Sequence, residues 1–375
     1  MFTSKRNRII FLLIGSILVS LCVFFTYSFA FSSSTSTSIK KQPDIKENIS
    51  KPAHSQQINK KADKPISIAI TGDILLDKSV GEKIKQNGVN YPFLKVSPIL
   101  KKADITAGNL ETSVSLRGKA TDKQFTFRSK PKTLQGLVNS GYDMVGLANN
   151  HTLDYGFEAL ADTITNLKKY KLGYSGAGKN EQEAFKAYST TVKGKRVSII
   201  SVSRVLPSSE WFARGSHAGI AHAYEDEPMM TYVKNTVAHS DYTLVMVHWN
   251  RERMDYPEPY AREMAKKFID AGVSAVIGGH SHSLMGVEYY KQAPIFYSLG
   301  NFVFTNSSSS KGRETMIVNL TLNKKKVDVK ITPAKIIEGQ PNLMGDSYNQ
   351  YIRNKISDLS YNAKVNANGT VAQTK

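Results

Sequence analysis

The chain has 375 residues, of which 41% are hydrophobic, enough for one large domain or two modest ones with a substantial core. Cys22 is its single cysteine, which excludes a disulfide framework and a thiol nucleophile elsewhere in the chain. The formal net charge is +19, but there is no helix-turn-helix, zinc-finger or RNA-binding signature, so we expect no nucleic-acid partner. The charge suits an acidic polymer or an anionic membrane surface, with general solubility as the simpler interpretation.

Residues 1–31 are predicted to be a signal-anchor segment. Three basic residues precede an uncharged apolar run from Ile9 to Phe25, and a basic flank keeps the N-terminus in the cytoplasm. The sequence SFA at 28–30 would suit cleavage as a signal peptide, but apolar character continues beyond it and favours an uncleaved anchor. We therefore expect a single anchor in the cell membrane and a domain on the outside. Residues 32–65 are polar and predict a flexible extracytoplasmic linker.

Residues 66–340 are predicted to form one α/β domain. Short apolar runs rich in β-branched residues (ISIAIT, DITAG, DMVGL, VSIISV, TLVMV, SAVIG) alternate with helical patterns such as EPYAREMAKKFIDAG. After residue 286 strands follow one another directly, which predicts antiparallel or mixed pairing. The sequence thus predicts two layered sheets with helices outside. Residues 341–375 are a C-terminal extension whose end, from about Asn362, is expected to be disordered.

Polar residues follow the apolar runs at the points where the predicted strands end. Ligands of open α/β sheets collect at the carboxyl ends of the strands, so these residues are expected to converge. Neutral imidazole with carboxylate oxygen is a ligand set for zinc, manganese or iron. The candidates are Asp73, Asn109, Glu111, Asn150, His151, His248, His280 and His282.

Each candidate also has a simpler interpretation when taken alone. Asp73 would serve as a turn residue and Asn150 would satisfy a tight turn. Asp154 would cap a helix that begins near Tyr155. A lone His248 would be a buried, hydrogen-bonded side chain. The joint pattern, with two imidazoles in GHSH, favours a metal site.

The motifs GDILLD, GNLETS, ANNHTLDYG, HW, GHSH and FYSLGNFVF, in this order, resemble the CapA family of capsule-biosynthesis proteins, associated with poly-γ-glutamate in Gram-positive bacteria. That family is in turn similar to the calcineurin-like metallophosphoesterases. The resemblance covers residues 66–335 and implies a four-layer α-β-β-α sandwich. It also implies poly-γ-glutamate or another acidic polymer as a partner, together with the membrane and capsule synthase subunits.

The resemblance further implies one or two divalent ions, manganese, zinc or iron. By that pattern the metal ligands are Asp73, Glu111, Asn150, His248, His280 and His282. Asp73 and His282 would bind one ion, and Asn150, His248 and His280 would bind the other. Glu111 would bridge the two ions. His151 would be the catalytic histidine that protonates a leaving group. Secondary candidates are Asn109, an alternative bridge, with Asp154 and Asn301, the last as a support for a ligand.

One departure from the phosphoesterase pattern keeps several functions open. Leu75 stands where the opening motif of those enzymes carries a histidine, so one ion would lose an imidazole ligand. Three hypotheses follow: a membrane-anchored protein of poly-γ-glutamate synthesis or export, a metal-dependent hydrolase of cell-wall or lipid phosphoesters, and a non-catalytic module that binds a polyanion.

Overall fold

The computed structural model describes residues 64–374 except 306 and 325. The predicted anchor, residues 1–31, and almost all of the predicted linker lie outside the described residues. Within the described part of the chain, no helix combines the length and apolarity that a membrane span needs.

The described residues form twenty strands and eight α-helices. The strands are β1 (Ile66–Ile74), β2 (Ile105–Leu110), β3 (Ser113–Val114), β4 (Arg128–Ser129), β5 (Met144–Gly146), β6 (Gly173–Ser175), β7 (Ala177–Gly178), β8 (Tyr188–Val192), β9 (Lys195–Ser203), β10 (Gly219–Ile220), β11 (Tyr242–His248), β12 (Ala275–Gly279), β13 (Val287–Tyr290), β14 (Ala293–Phe296), β15 (Asn301–Val303), β16 (Glu314–Asn323), β17 (Lys326–Ile337), β18 (Gln340–Leu343), β19 (Ala363–Val365) and β20 (Thr370–Gln373). The helices are α1 (Lys78–Asn87), α2 (Ser97–Leu100), α3 (Leu134–Asn139), α4 (Gly156–Lys169), α5 (Glu181–Ala184), α6 (Met229–Ala238), α7 (Pro259–Asp270) and α8 (Asp346–Asp358).

The strands form two large mixed sheets. The first has the order β19-β20-β17-β16-β1-β2-β5-β6, with β15 also beside β1 and β18 beside β17. The second has the order β13-β14-β12-β11-β9-β8. Strands β1, β2, β5 and β6 are parallel, as are β9, β11, β12 and β14, whereas β16 to β20 pair antiparallel. The predicted mixed pairing late in the chain is therefore confirmed.

Apolar side chains from the two sheets meet in a shared core between them. Ile68 and Ile70 of β1 pack in one cluster with Ile199 of β9 and Leu244 of β11. The outer face of the first sheet packs with α1, α3 and α4, and that of the second packs with α6 and α7. The order is therefore helix, sheet, sheet, helix, which confirms the predicted four-layer α-β-β-α sandwich.

Helix α7 illustrates how the local sequence produces these elements. Pro259 occupies its first turn, where a missing N–H costs nothing, and Gly272, with φ of 100°, follows its end. Ala265 and Phe268 lie on the buried face of the helix. The helix was predicted from the helical pattern in EPYAREMAKKFIDAG, and the prediction is confirmed.

The prediction of a disordered end beyond about Asn362 was wrong. Strand β20 pairs with both β17 and β19 and extends the first sheet. The segment is polar on average, but Ala363, Val365 and Val371 are the side chains that enter the core between the sheets. Their alternation with polar residues is the period-two pattern of a strand with one buried face.

Candidate metal centre

The predicted donors lie together at one end of the sandwich, where the parallel strands of both sheets end. Asp73 lies near the end of β1, Glu111 just beyond β2, and His248 at the last position of β11. All three side chains are buried. Asp73, Glu111 and His248 each offer one ligand atom, and these three atoms lie within 4.8 Å of one another.

Asn109 lies between these three groups. Its Nδ2 donates to Asp73 Oδ1 at 2.8 Å and to Glu111 Oε2 at 3.3 Å, and lies 3.4 Å from His248 Nδ1. Its own Oδ1 accepts from Asn149 Nδ2 at 3.0 Å. An amide with two hydrogens thus faces three acceptors, so the cluster has more acceptors than protons.

Two histidines are oriented by neighbouring amides. His248 Nε2 lies 2.9 Å from Asn150 Oδ1, and His282 Nδ1 lies 2.8 Å from Asn301 Oδ1. Because an amide oxygen only accepts, each of these ring nitrogens carries the proton. The opposite nitrogens, His248 Nδ1 and His282 Nε2, therefore present lone pairs. His282 Nε2 lies 3.7 Å from Glu111 Oε1.

His280 completes the group of imidazoles. Its ring centroid lies 4.8 Å from that of His248 and 5.9 Å from that of His282. Its backbone N–H donates to Asp73 Oδ2 at 3.3 Å. His280 and His282 have φ of 83° and 53°, the left-handed region that non-glycine residues rarely adopt. Strain of this kind persists where the surrounding structure fixes it and is common at functional sites.

His151 forms a separate chain of polar contacts. Its Nδ1 lies 2.7 Å from Asp154 Oδ2, and its Nε2 lies 3.8 Å from Glu111 Oε1. Lys123 Nζ donates to Asp154 Oδ1 at 2.5 Å and to the backbone oxygen of Asn150 at 2.5 Å. These contacts fix the proton of His151 on Nδ1, because the carboxylate accepts it, and leave Nε2 facing Glu111.

The interpretation of Asp154 as a helix cap was wrong. Helix α4 begins at Gly156, and Tyr155 precedes it without a side-chain capping bond. Asp154 is instead fully buried, where its carboxylate accepts from Lys123, from the backbone N–H of Phe127 and from His151.

The electrostatics of the centre fit a bound cation. Burial raises the pKa of Asp73, and burial together with the neighbouring Asp73 raises the pKa of Glu111 well above its usual range. Burial and the other imidazoles hold the pKa of His248 well below its usual value and lower that of His280 to about 3. Neutral imidazoles with closely packed carboxyl groups are the state in which a divalent cation is bound.

Two unpaired atoms provide a direct test of that fit. Glu111 Oε1 and His280 Nδ1 are buried and have no hydrogen-bond partner among the described residues. A buried polar atom without a partner is costly, and an ion is one recognised way to satisfy it. The donor set of carboxylate oxygen and imidazole nitrogen suits zinc, manganese or iron.

Several side chains around the centre were not found from the sequence. Lys123 contacts the backbone of Asn150 from a segment without regular structure, and Asn149 supports Asn109. Phe127 packs on the ring of His151, with ring centroids 4.3 Å apart. Phe304, in contrast, belongs to the segment GNFVF that was expected to support the site, and its ring centroid lies 5.0 Å from that of His282. Asn149 is adjacent to a predicted ligand and was open to inference, whereas nothing in the sequence near Lys123 or Phe127 indicated a role.

The fold and the centre define an α-β-β-α sandwich protein with a buried, acceptor-rich cluster at the strand ends. Residues 67–306 match the family model described as "Bacterial capsule synthesis protein PGA_cap". The chain belongs to this family of bacterial capsule synthesis proteins, as the resemblance to CapA predicted.

Named relatives agree with this membership. The chain is 31% identical over 284 residues to the capsule biosynthesis protein CapA of Bacillus anthracis, covering 74% of this chain and 69% of that one. It is 29% identical over 293 residues to the PGA biosynthesis protein CapA of Bacillus subtilis, covering 77% and 76%. It is 28% identical over 226 residues to a probable polyglutamine synthesis accessory protein of Mycobacterium tuberculosis, covering 57% and 59%.

Solved structures show more distant similarity. The NAD nucleotidase NadN of Haemophilus influenzae has 11% identity and a TM-score of 0.41, and the match covers 80% of this chain and 64% of NadN. The sulfate thiohydrolase SoxB of Thermus thermophilus has 10% identity and a TM-score of 0.43, and covers 79% and 61%. The chain thus spans less than two thirds of these proteins, and similarity at this level carries no argument about function.

Proposed function

We propose that this protein is anchored in the cell membrane by residues 1–31 and that its extracytoplasmic domain supports the synthesis, export or retention of poly-γ-glutamate. Membership of the capsule synthesis family over residues 67–306 supports the role in the capsule. The net charge of +19 supports contact with an acidic polymer, because opposite charge raises the local concentration of such a partner. Capsule synthase subunits in the same membrane are the partners that this role requires.

The observation that carries a functional role for the centre is the pair of unpaired buried atoms, Glu111 Oε1 and His280 Nδ1. Together with Asp73, His248 and His282, these residues would hold a divalent cation. Such a cation would polarise a phosphoryl or carbonyl oxygen and lower the pKa of bound water.

The chain's own residues supply the remaining functions of the site. Asn301 and Asn150 keep the imidazoles of His282 and His248 in fixed orientations, which preserves ligand geometry. The hydrogen bond from Nδ1 of His151 to Asp154 keeps a proton on that nitrogen. Nε2 is therefore the atom of His151 that would take up or release a proton at the site. Burial lowers the pKa of His151, which keeps that nitrogen an acceptor at neutral pH.

Complementation of a deletion tests the proposal. In a strain that produces poly-γ-glutamate and lacks this gene, the wild-type chain should restore extracellular polymer, whereas Asp73→Ala and His248→Ala should not. His217→Ala is the matched control, because that exposed ring contacts only the backbone oxygen of Glu210 and the ring of Phe157 among the described residues and lies outside the centre. Unchanged polymer after deletion refutes the role in the capsule. Full complementation by both site variants would instead remove the centre from that role. Fractionation of the cells for membrane-bound protein tests the anchor.

A metal-dependent hydrolase of cell-wall or lipid phosphoesters is a second candidate, favoured by the pairing of His151 with Asp154 beside Glu111. This activity requires manganese- or zinc-stimulated turnover of a generic phosphodiester by the purified chain. Turnover should be lost in His151→Ala and kept in His217→Ala. No turnover with any divalent metal would favour the third hypothesis, a polyanion-binding module, which the leucine at position 75 also supports.

A further inference from the structure

A large cavity lies away from the metal centre, at the lateral edge of the sandwich. It has a volume of about 980 Å³ and is lined by residues of α4, β6, α5, β8, β9 and α6. We call it the edge cleft and define it by Lys168, Tyr174, Lys179, Lys186, Tyr188 and Arg196. Its volume is at the upper end of the range that holds a drug-sized ligand.

The edge cleft runs along the lateral edge of the sandwich and reaches the opposite end of the strands from the centre. Arg196 lies near the start of β9, and Ser240 lies two residues before β11. His248 lies at the other end of β11, opposite Ser203 of β9. Seven residues separate Arg196 from Ser203, which is roughly 20 Å along an extended strand. A ligand in the cleft therefore occupies a site separate from the donors.

The charge of the edge cleft is strongly positive. Lys179, Lys186 and Arg196 are exposed, and no ion pair joins their side chains to a carboxylate of the described residues. Lys168 lies 3.5 Å from Glu183, whose Oε1 also accepts from the hydroxyl of Tyr174. The carboxylate that lines the cleft is thus already compensated, and the other three cations remain available to an anion.

The walls between the cations are aromatic and hydroxylated. Tyr174, Tyr188 and Tyr232 line the cleft and are partly exposed, and Tyr232 stacks on the buried Phe185 with ring centroids 4.9 Å apart. The hydroxyl of Ser198 lies 2.7 Å from that of Ser189 and 2.7 Å from that of Ser240. Aromatic faces pack against methylene and amide groups, and hydroxyls pair with polar groups of a ligand main chain.

The arrangement of the cations indicates the shape of the anion. Lys179 follows β7, Lys186 follows α5, and Arg196 lies on β9, so the three charges come from separate segments. They do not converge in one helix N-terminus or glycine-rich loop, as they do in a site for a single phosphate. Charges distributed along an open cleft suit a chain that carries one anion per repeating unit.

We propose that the edge cleft binds a segment of a carboxylate-bearing polyamide, with its carboxylates at Lys179, Lys186 and Arg196 and its methylene groups against the aromatic wall. The identity of that polymer as poly-γ-glutamate rests on the proposed function. The cleft itself does not depend on any chemistry at the metal centre.

Charge reversal of the cleft tests this inference. The full chain, purified in detergent, is titrated against fluorescently labelled poly-γ-glutamate at a fixed salt concentration near physiological. The cleft variant combines Lys179→Glu, Lys186→Glu and Arg196→Glu. The control variant reverses three exposed lysines elsewhere and has the same net charge: Lys85→Glu, Lys132→Glu and Lys330→Glu. Thermal unfolding of all three proteins verifies that they are folded.

The cleft variant is expected to bind the polymer roughly tenfold or more weakly than wild type, because three exposed charge contacts each contribute modestly. The control variant should lose much less. Equal losses in the two variants would assign binding to overall charge and overturn the inference. Absence of binding by the wild-type chain, or unchanged binding by the cleft variant, would also overturn it. Inorganic polyphosphate at equal charge concentration should not displace the polymer; displacement would show a site for polyanions in general and overturn the assignment to a carboxylate-bearing polyamide.

The outcomes for the cleft and for the capsule are separable. Polymer lost on gene deletion together with wild-type binding by the cleft variant refutes the cleft alone. Polymer unchanged on deletion together with weakened binding by the cleft variant refutes the capsule role and leaves a polycarboxylate site.

Discussion

Replacing Glu111 by glutamine tests whether the centre is built for a cation. Burial and the neighbouring Asp73 raise the pKa of Glu111 well above its usual value of 4.5. For a carboxyl group whose pKa is raised by folding, the stabilising contribution is complete below the unfolded-state pKa and is lost as the pH rises through the folded-state pKa. Metal-free wild-type protein should therefore lose stability from this group between acid and alkaline pH. Glu111→Gln removes that loss because the amide does not ionise.

The magnitude follows from the environment of one oxygen. Glu111 Oε1 is buried without a partner, and an uncompensated buried polar group costs about 1–3 kcal/mol, more when it is charged. Metal-free Glu111→Gln should exceed metal-free wild type in stability by about that amount at pH 8. A divalent cation at a hundred times its Kd should stabilise wild type by about 2.7 kcal/mol, which corresponds to a rise in Tm of roughly 5 °C or more. The variant should show little of this rise.

Thermal unfolding of the full chain in detergent measures both effects. Wild type and Glu111→Gln are compared at pH 5.5 and pH 8, each with a chelator and with manganese or zinc. Glu158→Gln is the matched control, because Glu158 is an exposed carboxylate paired with Arg117 and should change stability little. The reasoning fails if no divalent metal raises the Tm of wild type, or if metal-free Glu111→Gln is the less stable protein at pH 8.

Three further changes test neighbouring parts of the structure. Gly279→Ala would place a methyl carbon 2.9 Å from Asp73 Oδ1, so it should weaken metal affinity by calorimetry about 10–100-fold, and unchanged affinity contradicts that contact. Asn301→Ala should weaken affinity similarly by freeing the ring of His282, and metal binding equal to wild type would exclude that support. Burial opposes ionisation of Glu288, but bonds from its arginine and tyrosine partners lower its pKa. Glu288→Gln should lower the free energy of unfolding by about 2 kcal/mol near neutral pH, and this difference from wild type should vanish as the pH falls below 4.5. A difference in denaturant midpoint that does not depend on pH would contradict this.

The positions of the metal-centre residues could be anticipated because strand ends are visible in the sequence. Asp73, Glu111 and His248 each follow a run of apolar β-branched residues, and parallel strands bring their carboxyl ends to one edge. The layered fold was open to the same reasoning, because runs of period two and helices of period 3.6 alternate along the chain.

What could not be anticipated depends on contacts between distant segments without periodic sequence. Lys123 reaches Asp154 from an irregular segment, and this ion pair replaces the capping role that the position of Asp154 suggested. The edge cleft brings Lys168 of α4 together with Arg196 of β9, which belong to separate segments of the chain. The final strands were missed because Val371 is an isolated apolar residue in a polar segment, and only its place in the core explains the pairing.

The pairing of β15 with β1 joins two segments that are far apart in the chain. It lies parallel beside β1, with Asn301 opposite Asp73, and the backbone N–H of Asp73 donates to the oxygen of Gly300 at 3.0 Å. Gly72 permits this approach, because a Cβ there would lie 1.9 Å from that oxygen. During synthesis, Asp73 therefore lacks this partner strand until a segment more than two hundred residues later in the chain has been made. A cation bound as proposed would therefore be loaded late in biogenesis, and chains truncated before Gly300 would lack the strand that holds Asp73 in place.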